Sequence, residues 1–463
     1  MGDRIAHALT LARLVAERPD PLAPLGVGEL SRTLGLTLST TSRLAAELER
    51  VGMLERAGGY GGYRIGPAAI RLSGRAAAPY AGAVRFALAL AAQQTGETVC
   101  LAGPAGGTWR IVASVASAWT LHSPADVGGS ADEAEGAIAR AAADPAGGIR
   151  ESARGRAVEV AAPVLTPDGE CVAVLAVRLL VDRARGGVPR ARRALAAARH
   201  ELERSVADAG DREDAPPPAA SQGVATGIPA ALRVLDALVG GDATLPALAR
   251  ATGLGPDRVH RILRAARRAG LAAVDPAGRH RIPWGLHAWH RAVAEPLLIE
   301  RGTPLVRATA EATGECAFLT VLRGMRSFTL VEELGPAGEG LRMASWIGRP
   351  HPIIGSDGGP ALAHDLDPER LAELLPARHS AHEVAAFAER VRRVRRDGVI
   401  SFASIEDAGL FSISAPVRDA AGSVVAAACL VGPVDALRPR ARELEHATLS
   451  LASAASALLL FGE

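Results

Sequence analysis

Leu9, Leu11, Leu14 and Val15 put apolar side chains on one face of a helix near the start of the chain, and Leu232, Val234, Leu235 and Leu238 do the same near its middle. After the first of these, "VGELSRTLG" predicts a helix that stops at Gly35, and a third helix follows one short turn later, over Ser39 to Val51. "GMLERAGGYGGYRIG" then reads as two short extended pieces about a glycine-rich tip, the hairpin wing of a winged helix. The later stretch ends in "GLAAVDPAGRHRIP", where Asp275, Pro276 and Gly278 mark the turn. Beyond it the pattern changes to strand-like runs, "CAFLTVLRG", "SFTLVEEL", "FSISAPVRD" and "VVAAACLVG", interleaved with helices over Pro368 to Leu375 and Ala381 to Arg396. "RDAAGS" supplies a turn between the last two runs, which predicts an antiparallel hairpin and not a crossover.

The two stretches repeat one another. "LSRTLGLTLSTTSRLAAELERVGML" returns as "LARATGLGPDRVHRILRAARRAGLA", with Leu36, Arg43 and Gly52 matched by Leu254, Arg261 and Gly270 at a constant offset of 218. "TGETVCL" (Thr95 to Leu101) returns as "TGECAFL" (Thr313 to Leu319) at the same offset, so the repeated unit has two parts. A period this long excludes a solenoid and points to duplication of a complete unit. Between the copies, "DAGDREDAPPPAASQGVATG" joins charge, three prolines and small polar residues without apolar periodicity, and reads as a linker. The expected organisation is a winged helix-turn-helix over 1–66, an effector-like domain over 67–207, a linker over 208–226, a second winged helix-turn-helix over 227–283 and a second effector domain over 284–463.

Composition narrows the class further. The chain has 463 residues, 48% of them hydrophobic, enough for several packed cores. Its 52 basic residues face 50 acidic ones, so attraction to nucleic acid must come from local clustering. All 52 are Arg, and Lys and Asn are absent, a pattern of codon bias that weakens Arg abundance as a sign of phosphate binding. Gln occurs only at 93, 94 and 222, which leaves no amide in the helix-turn-helix stretches to read adenine. Cys100, Cys171, Cys316 and Cys429 match no metal spacing and suit reduced, buried thiols in a cytoplasmic protein. No apolar run approaches membrane-spanning length, and the N-terminus reads as a first helix and not an export signal.

The candidate chemistry lies on the two third helices. In the first, Ser39, Thr40, Thr41 and Arg43 cluster in the opening turns, where hydroxyls and a guanidinium reach phosphates and base edges in the major groove, and Arg64 lies on its wing. In the second, Pro256 suits the first turn, and Arg258, His260, Arg261, Arg264, Arg267 and Arg268 make the helix far more basic. Positions 257, 260, 261, 264 and 268 share one side, and the wing adds Arg279, His280 and Arg281. His351, Ser356 and Asp357 stand close together, but Ser356 lacks the strand-to-helix elbow of a nucleophile, and no catalysis is expected.

Both helix-turn-helix stretches, with "ATGECAFLTVLRG", "GRPHPIIGSDGGPALA" and "RRDGVISFASIEDAGLFSISAPVRDAAGSVVAAACLVGP", resemble the IclR-type bacterial transcriptional regulators, nearly the whole chain being covered twice. The resemblance implies an α+β protein in which each winged helix-turn-helix binds double-stranded operator DNA. It also implies α/β effector domains with a six-stranded antiparallel sheet of GAF/profilin-like kind, and subunits that dimerise. Relatives bind small molecules, commonly carboxylates, in a site that carries over to Asp357 and Gly358, Phe402, Ser412, and Cys429 and Val431. Phe402, Cys429 and Val431 depart from the carboxylate and two serines of relatives that take small hydrophilic acids, so a larger, more apolar effector is expected, or none.

The copies are unequal. Ala162, Pro163 and Val164 match Ala415, Pro416 and Val417 at an offset of 253, so 35 residues are missing from the first copy between about Leu121 and Ala161. Glu159 and Arg178 replace Ser412 and Val431 there, as an ion pair filling a vestigial pocket or as an anion site. The expected protein is a cytoplasmic regulator without cofactor or membrane partner, a homodimer of two-unit chains, sensing its ligand through the second effector domain. The rival expectation keeps the fold but leaves one winged helix to dimerisation or partner binding and senses no ligand.

Overall fold

The computed structural model describes residues 2–57, 61–117, 119–131, 135–210, 226–335, 343–405 and 407–460. It divides into two compact units, 1–293 and 294–463.

The first unit opens with helices α1 (Gly2–Ala16), α2 (Val27–Leu34) and α3 (Leu38–Arg50) and short strands β1 (Leu25–Gly26), β2 (Leu54–Arg56) and β3 (Gly62–Ile65). The strands form one antiparallel sheet in the order β1-β3-β2, the wing, whose tip at 58–60 lies outside the described residues. Gly35 ends α2 with φ 64°, a left-handed conformation that an L side chain adopts only with strain, and Gly253 does the same at its matched position with φ 66°. Thr37 then caps α3 by accepting from the Thr40 amide, so the turn between the helices is written in both termini. Leu44, Ala45 and Leu48 bury the inward face of α3.

Next come α4 (Pro67–Ala77) and α5 (Ala81–Thr95), then β4 (Thr98–Ala105), β5 (Thr108–Val115), α6 (Ala137–Ala143), β6 (Arg150–Arg154), β7 (Ala157–Leu165), β8 (Cys171–Leu180) and α7 (Val181–Gly210). The five strands make an antiparallel sheet in the order β5-β4-β8-β7-β6. Val99, Leu101, Val160 and Leu175 pack one face against Ala87 and Leu88 of α5 and Leu195 and Leu202 of α7. Ile138 and Ala141 of α6 cover the other face with Cys100 and Val174. Three residues assigned to the linker, 208–210, end α7, and 211–225 lie outside the described residues.

The unit continues with α8 (Ile228–Leu238), α9 (Leu245–Thr252), α10 (Pro256–Arg268), β9 (Ala273–Val274) and β10 (His280–Arg281). An Ala243–His280 bridge adds a third segment beside β10, as β1 lies beside β3 in the first wing. The two three-helix modules abut, α1 lying against α10, and Arg268 reaches Asp3 at 2.9 Å. Gly270, just past α10, touches the β4–β5 turn so closely that a Cβ there would stand 2.3 Å from the Gly106 Cα. The first compact unit runs to Val293, ten residues past the expected end of the second winged helix at 283. Trp284 stacks on Tyr80 with ring centroids 4.7 Å apart, and the Ser73 hydroxyl donates to the Leu286 carbonyl at 2.6 Å and meets His290 Nδ1 at 2.9 Å. These buried contacts hold 284–293 in the first unit, and burial keeps His287 neutral by pushing its pKa down to about 3.

Helix α11 (Ala288–Thr313) leads into β11 (Cys316–Arg323), β12 (Arg326–Glu333), β13 (Pro350–Pro352), α12 (Gly359–Leu362), α13 (Leu371–Leu374), α14 (Ala381–Asp397), β14 (Ile400–Ala403), β15 (Leu410–Arg418), β16 (Val424–Pro433), α15 (Val434–Leu437) and α16 (Ala441–Leu460). The second unit's sheet has the order β13-β12-β11-β16-β15-β14, antiparallel throughout. Its pairing slips between Leu319 and Thr320 and between Val417 and Arg418. The smaller sheet slips between Leu101 and Ala102 and between Val164 and Leu165, at the matched positions. An Arg110–Ser130 bridge stands where the larger sheet has β13, and the smaller sheet has no counterpart of α14 among its described residues.

Candidate nucleic-acid interface and effector pocket

Helix α10 separates its two faces cleanly. Val259, Ile262, Leu263, Ala265 and Ala266 are buried, while His260, Arg261, Arg264, Arg267 and Arg268 are exposed and Arg258 is half-buried. The side expected to be cationic is the side that faces solvent, and it offers a row of donors suited to phosphates and guanine edges. Arg281 does not join it. Its guanidinium is ion-paired with Glu170 of the β7–β8 turn and lies 3.8 Å from Asp242, so it fastens the hairpin to the sheet beneath, correcting the expected DNA-facing role. Arg279 likewise bonds Asp275 within its own turn at 3.1 Å.

On α3, Ser39, Thr40 and Arg43 are exposed, as expected. Thr41 is not: it is fully buried, its hydroxyl donating to the Thr37 carbonyl at 3.0 Å, and it shares the inward phase of Leu44, Ala45 and Leu48. Ser42 occupies the exposed side in its place, and the 3.6-residue period alone distinguishes the two. Arg64 is a second correction. Glu55 faces it across the wing and takes two of its donors at 3.2 Å, which makes it a scaffold pair. The acids of α3 are also occupied, Glu47 by Arg4 and Glu49 by Arg56.

In the second unit the loop after β13 rests on the sheet. A Cβ at Gly358 would lie 2.3 Å from Thr320 Cγ2 and 3.2 Å from Cys429 Sγ, so only glycine lets the loop approach this closely. Asp357 beside it is held by the hydroxyls of Ser412 and Ser404. Burial pushes its carboxyl above the usual range, the two hydroxyls opposing that shift. Cross-strand pairing sets Phe402 against Ser412 and Ser412 against Val431 in one row, while Cys429 stands two residues along its strand, between Ser414 and Phe318.

A small cleft of about 20 Å³, room for about one water, opens beside Asp357 and is lined by Phe318, Thr320, Thr329, Trp346, Asp357 and Ser404 among others. Phe402, Cys429 and Val431 sit in the apolar layer with Val394 and Ile400, and the Arg390 guanidinium covers the Phe402 ring at 5.3 Å. Where the sequence led to a larger, more apolar effector or none, the cleft beside Asp357 is small and lined by hydroxyls and a carboxyl next to one aromatic pair, Phe318 and Trp346, 5.3 Å apart. Ser404 was legible from strand alternation, two positions beyond Phe402, whereas Trp346 carries no periodic signal.

In the smaller sheet Arg178 Nε donates to Glu159 at 3.0 Å, Nη1 donates to the Pro124 carbonyl at 2.7 Å, and the Ile138 amide at the start of α6 donates to Glu159 at 3.2 Å. The ion pair forms and fills the matched site. Among the described residues no group of three His, Cys, Asp or Glu side chains could hold a metal.

A buried carboxyl whose pKa is raised favours the folded state at low pH, and that advantage is lost as pH rises through the ordinary aspartate value near 3.8 and then the higher folded value. Asp357→Asn keeps an acceptor for Ser412 and does not titrate. We expect thermal melting of the variant to gain on the wild type between pH 4 and pH 7.5. Parallel melting curves across that range would refute the assignment.

Residues 5–58 match the IclR helix-turn-helix domain, and residues 290–458 match the domain described as bacterial transcriptional regulator IclR C-terminal. The HTH-type transcriptional regulator Rv1719 of Mycobacterium tuberculosis is 29% identical over 228 residues, 48% of this chain and 85% of that protein. BhcR of Paracoccus denitrificans, also an HTH-type transcriptional regulator, is 29% identical over 213 residues, 44% of this chain and 76% of that protein. A crystal structure of an IclR-family regulator from Rhodococcus sp. aligns with a TM-score of 0.39 at 21% identity, covering 52% of this chain and 98% of that one.

Proposed function

We propose that this chain, an IclR-type DNA-binding transcriptional regulator by its two matched domains, is a tandem of two such units that presents two unlike winged helices to one operator. The observation that carries the reading is the packing of α1 against α10 in the first unit, which leaves both α3 and α10 with their polar sides exposed. Matched register shifts in the two sheets support a duplicated origin. Joining two DNA-binding modules in one chain raises the effective concentration of the second once the first is bound. Because α3 offers hydroxyls and α10 offers arginines, the two half-sites differ in sequence. Ligand response belongs to the second unit, whose cleft keeps an acceptor at Asp357, while the Glu159–Arg178 pair closes the matched site. The effector is a small, weakly polar molecule carrying a hydrogen-bond donor. The protein would act in the cytoplasm, where DNA is bound, as a homodimer of two-unit chains; separately, no described helix is long and apolar enough to cross a membrane.

Protection mapping on the DNA next to the protein's own gene tests the reading. The expected footprint has two halves of different sequence. A perfect palindrome protected by a single chain would sink it. The reading in which the first winged helix serves dimerisation or partner binding draws on the pairing of Glu47 and Glu49, which leaves α3 few free charges. Arg43→Ala then leaves DNA affinity unchanged.

A further inference from the structure

The leading end of α3 carries a side chain that phosphate binding does not use. Leu38, its first residue, is 59% exposed, whereas Leu30, Leu44 and Leu48 of the same module are buried. A single exposed leucine is ordinary, but this one stands in the turn that a helix-turn-helix presents to base edges. Val27, Thr37, Leu38, Ser39 and Ser42 line a shallow, open hollow there, two aliphatic side chains among three hydroxyls. Thr37 pins the turn by accepting from the Thr40 amide at 3.3 Å and donating to the Thr40 hydroxyl at 2.9 Å.

The charges nearby do not compete for the role. Glu47 and Glu49 are taken by Arg4 and Arg56, and the Arg43 Nε donates to the Ser39 carbonyl at 3.4 Å. What remains at the front of α3 is one aliphatic side chain among hydroxyls. In the major groove, the base-edge group that suits an aliphatic side chain is the C5-methyl of thymine; every other feature there is a hydrogen-bond donor or acceptor. On α10 the matched position is Pro256, whose exposed ring is compact and reaches less far than a leucine, and it is followed by Asp257, Arg258, His260 and Arg261.

We propose that Leu38 reads a thymine methyl, so that the half-site under the first winged helix is selected for thymine at one position and the half-site under α10 is not. The inference rests on the DNA-binding reading above and names the base it selects.

The test replaces thymine by deoxyuracil, one position at a time, across the footprint of the full chain, which removes the methyl and leaves base pairing intact. Wild type is expected to lose roughly four-fold in affinity at one thymine, the effect of leaving one methyl unburied. Leu38→Ala is expected to lose a similar factor on the thymine duplex and to bind the thymine and deoxyuracil duplexes equally. Circular dichroism and melting of Leu38→Ala confirm that the variant is folded, since the side chain makes no core contact. Two outcomes overturn the inference: wild type indifferent to deoxyuracil at every protected thymine, or Leu38→Ala still sensitive at the same one. A chain that protects no DNA at all overturns the DNA-binding reading and this inference with it, and the footprint taken first separates that failure from the others.

Discussion

Replacing Arg261 and Arg264 together by Ala is expected to weaken operator binding by one to two orders of magnitude, to flatten its salt dependence, and to leave the melting temperature where it was. Each guanidinium that leaves a phosphate lowers the slope of log K against log salt by about 0.9, and loss of a base contact costs about 1–3 kcal/mol. Stability should not follow, because α10 folds through Val259, Ile262, Leu263, Ala265 and Ala266 on its opposite side. Arg281→Ala supplies the contrast. Its partners Glu170 and Asp242 lie inside the first unit, so that variant should melt earlier with an unchanged salt slope. Affinity measured at several salt concentrations distinguishes the two kinds of arginine, and an unaltered slope for the Arg261 and Arg264 double variant would remove α10 from the interface.

That contrast shows where the sequence could be trusted. Helical phase was legible: positions 260, 261, 264 and 268 are exposed together, as their spacing required. Thr41 failed on the same principle, because it was grouped with its polar neighbours instead of being placed on the turn with Leu44 and Leu48. Arg64 and Arg281 failed for a different reason. Counting cations says nothing of the acids that meet them in space, and Glu170 is remote in sequence from Arg281. In the candidate effector site the alternation along β15 and β16 could be read from the sequence, but a strand register does not reveal how much space is left above it. There Gly358 lets the loop settle onto Thr320 and Cys429, and the cleft is nearly filled. Residues 284–293 belong to the first unit because Trp284 and His290 pack against Tyr80 and Ser73, contacts between aromatic and polar residues that no periodicity announces.

Arg110→Ala is expected to destabilise the first unit by about 3–5 kcal/mol, the usual consequence of leaving one member of a buried ion pair alone. Glu17 follows the last turn of α1 and is almost wholly buried. Arg110, on β5, lies 3.1 Å from its carboxylate, while Nη1 donates to the Glu17 carbonyl at 3.1 Å and the Gly128 carbonyl at 2.8 Å; Arg13 stands further off at 3.7 Å. One guanidinium thus joins the first winged helix to the sheet that follows it, and its removal strands a carboxylate and two carbonyls. Burial already pushes the Glu17 carboxyl above its ordinary value, with Arg110 the main opposing influence and Arg13 the next. Without Arg110 the folded-state value rises further, so the folded variant binds a proton that the unfolded chain, titrating near 4.5, does not. The deficit against wild type is therefore largest at neutral pH and shrinks as pH falls toward that value. Differential scanning calorimetry at pH 7.5 and pH 5 measures it, and a Tm drop that is absent, or equal at both, would contradict the pairing. Replacing both partners, Glu17→Leu with Arg110→Met, should recover much of the loss, because two apolar side chains of similar size leave no charge unpaired.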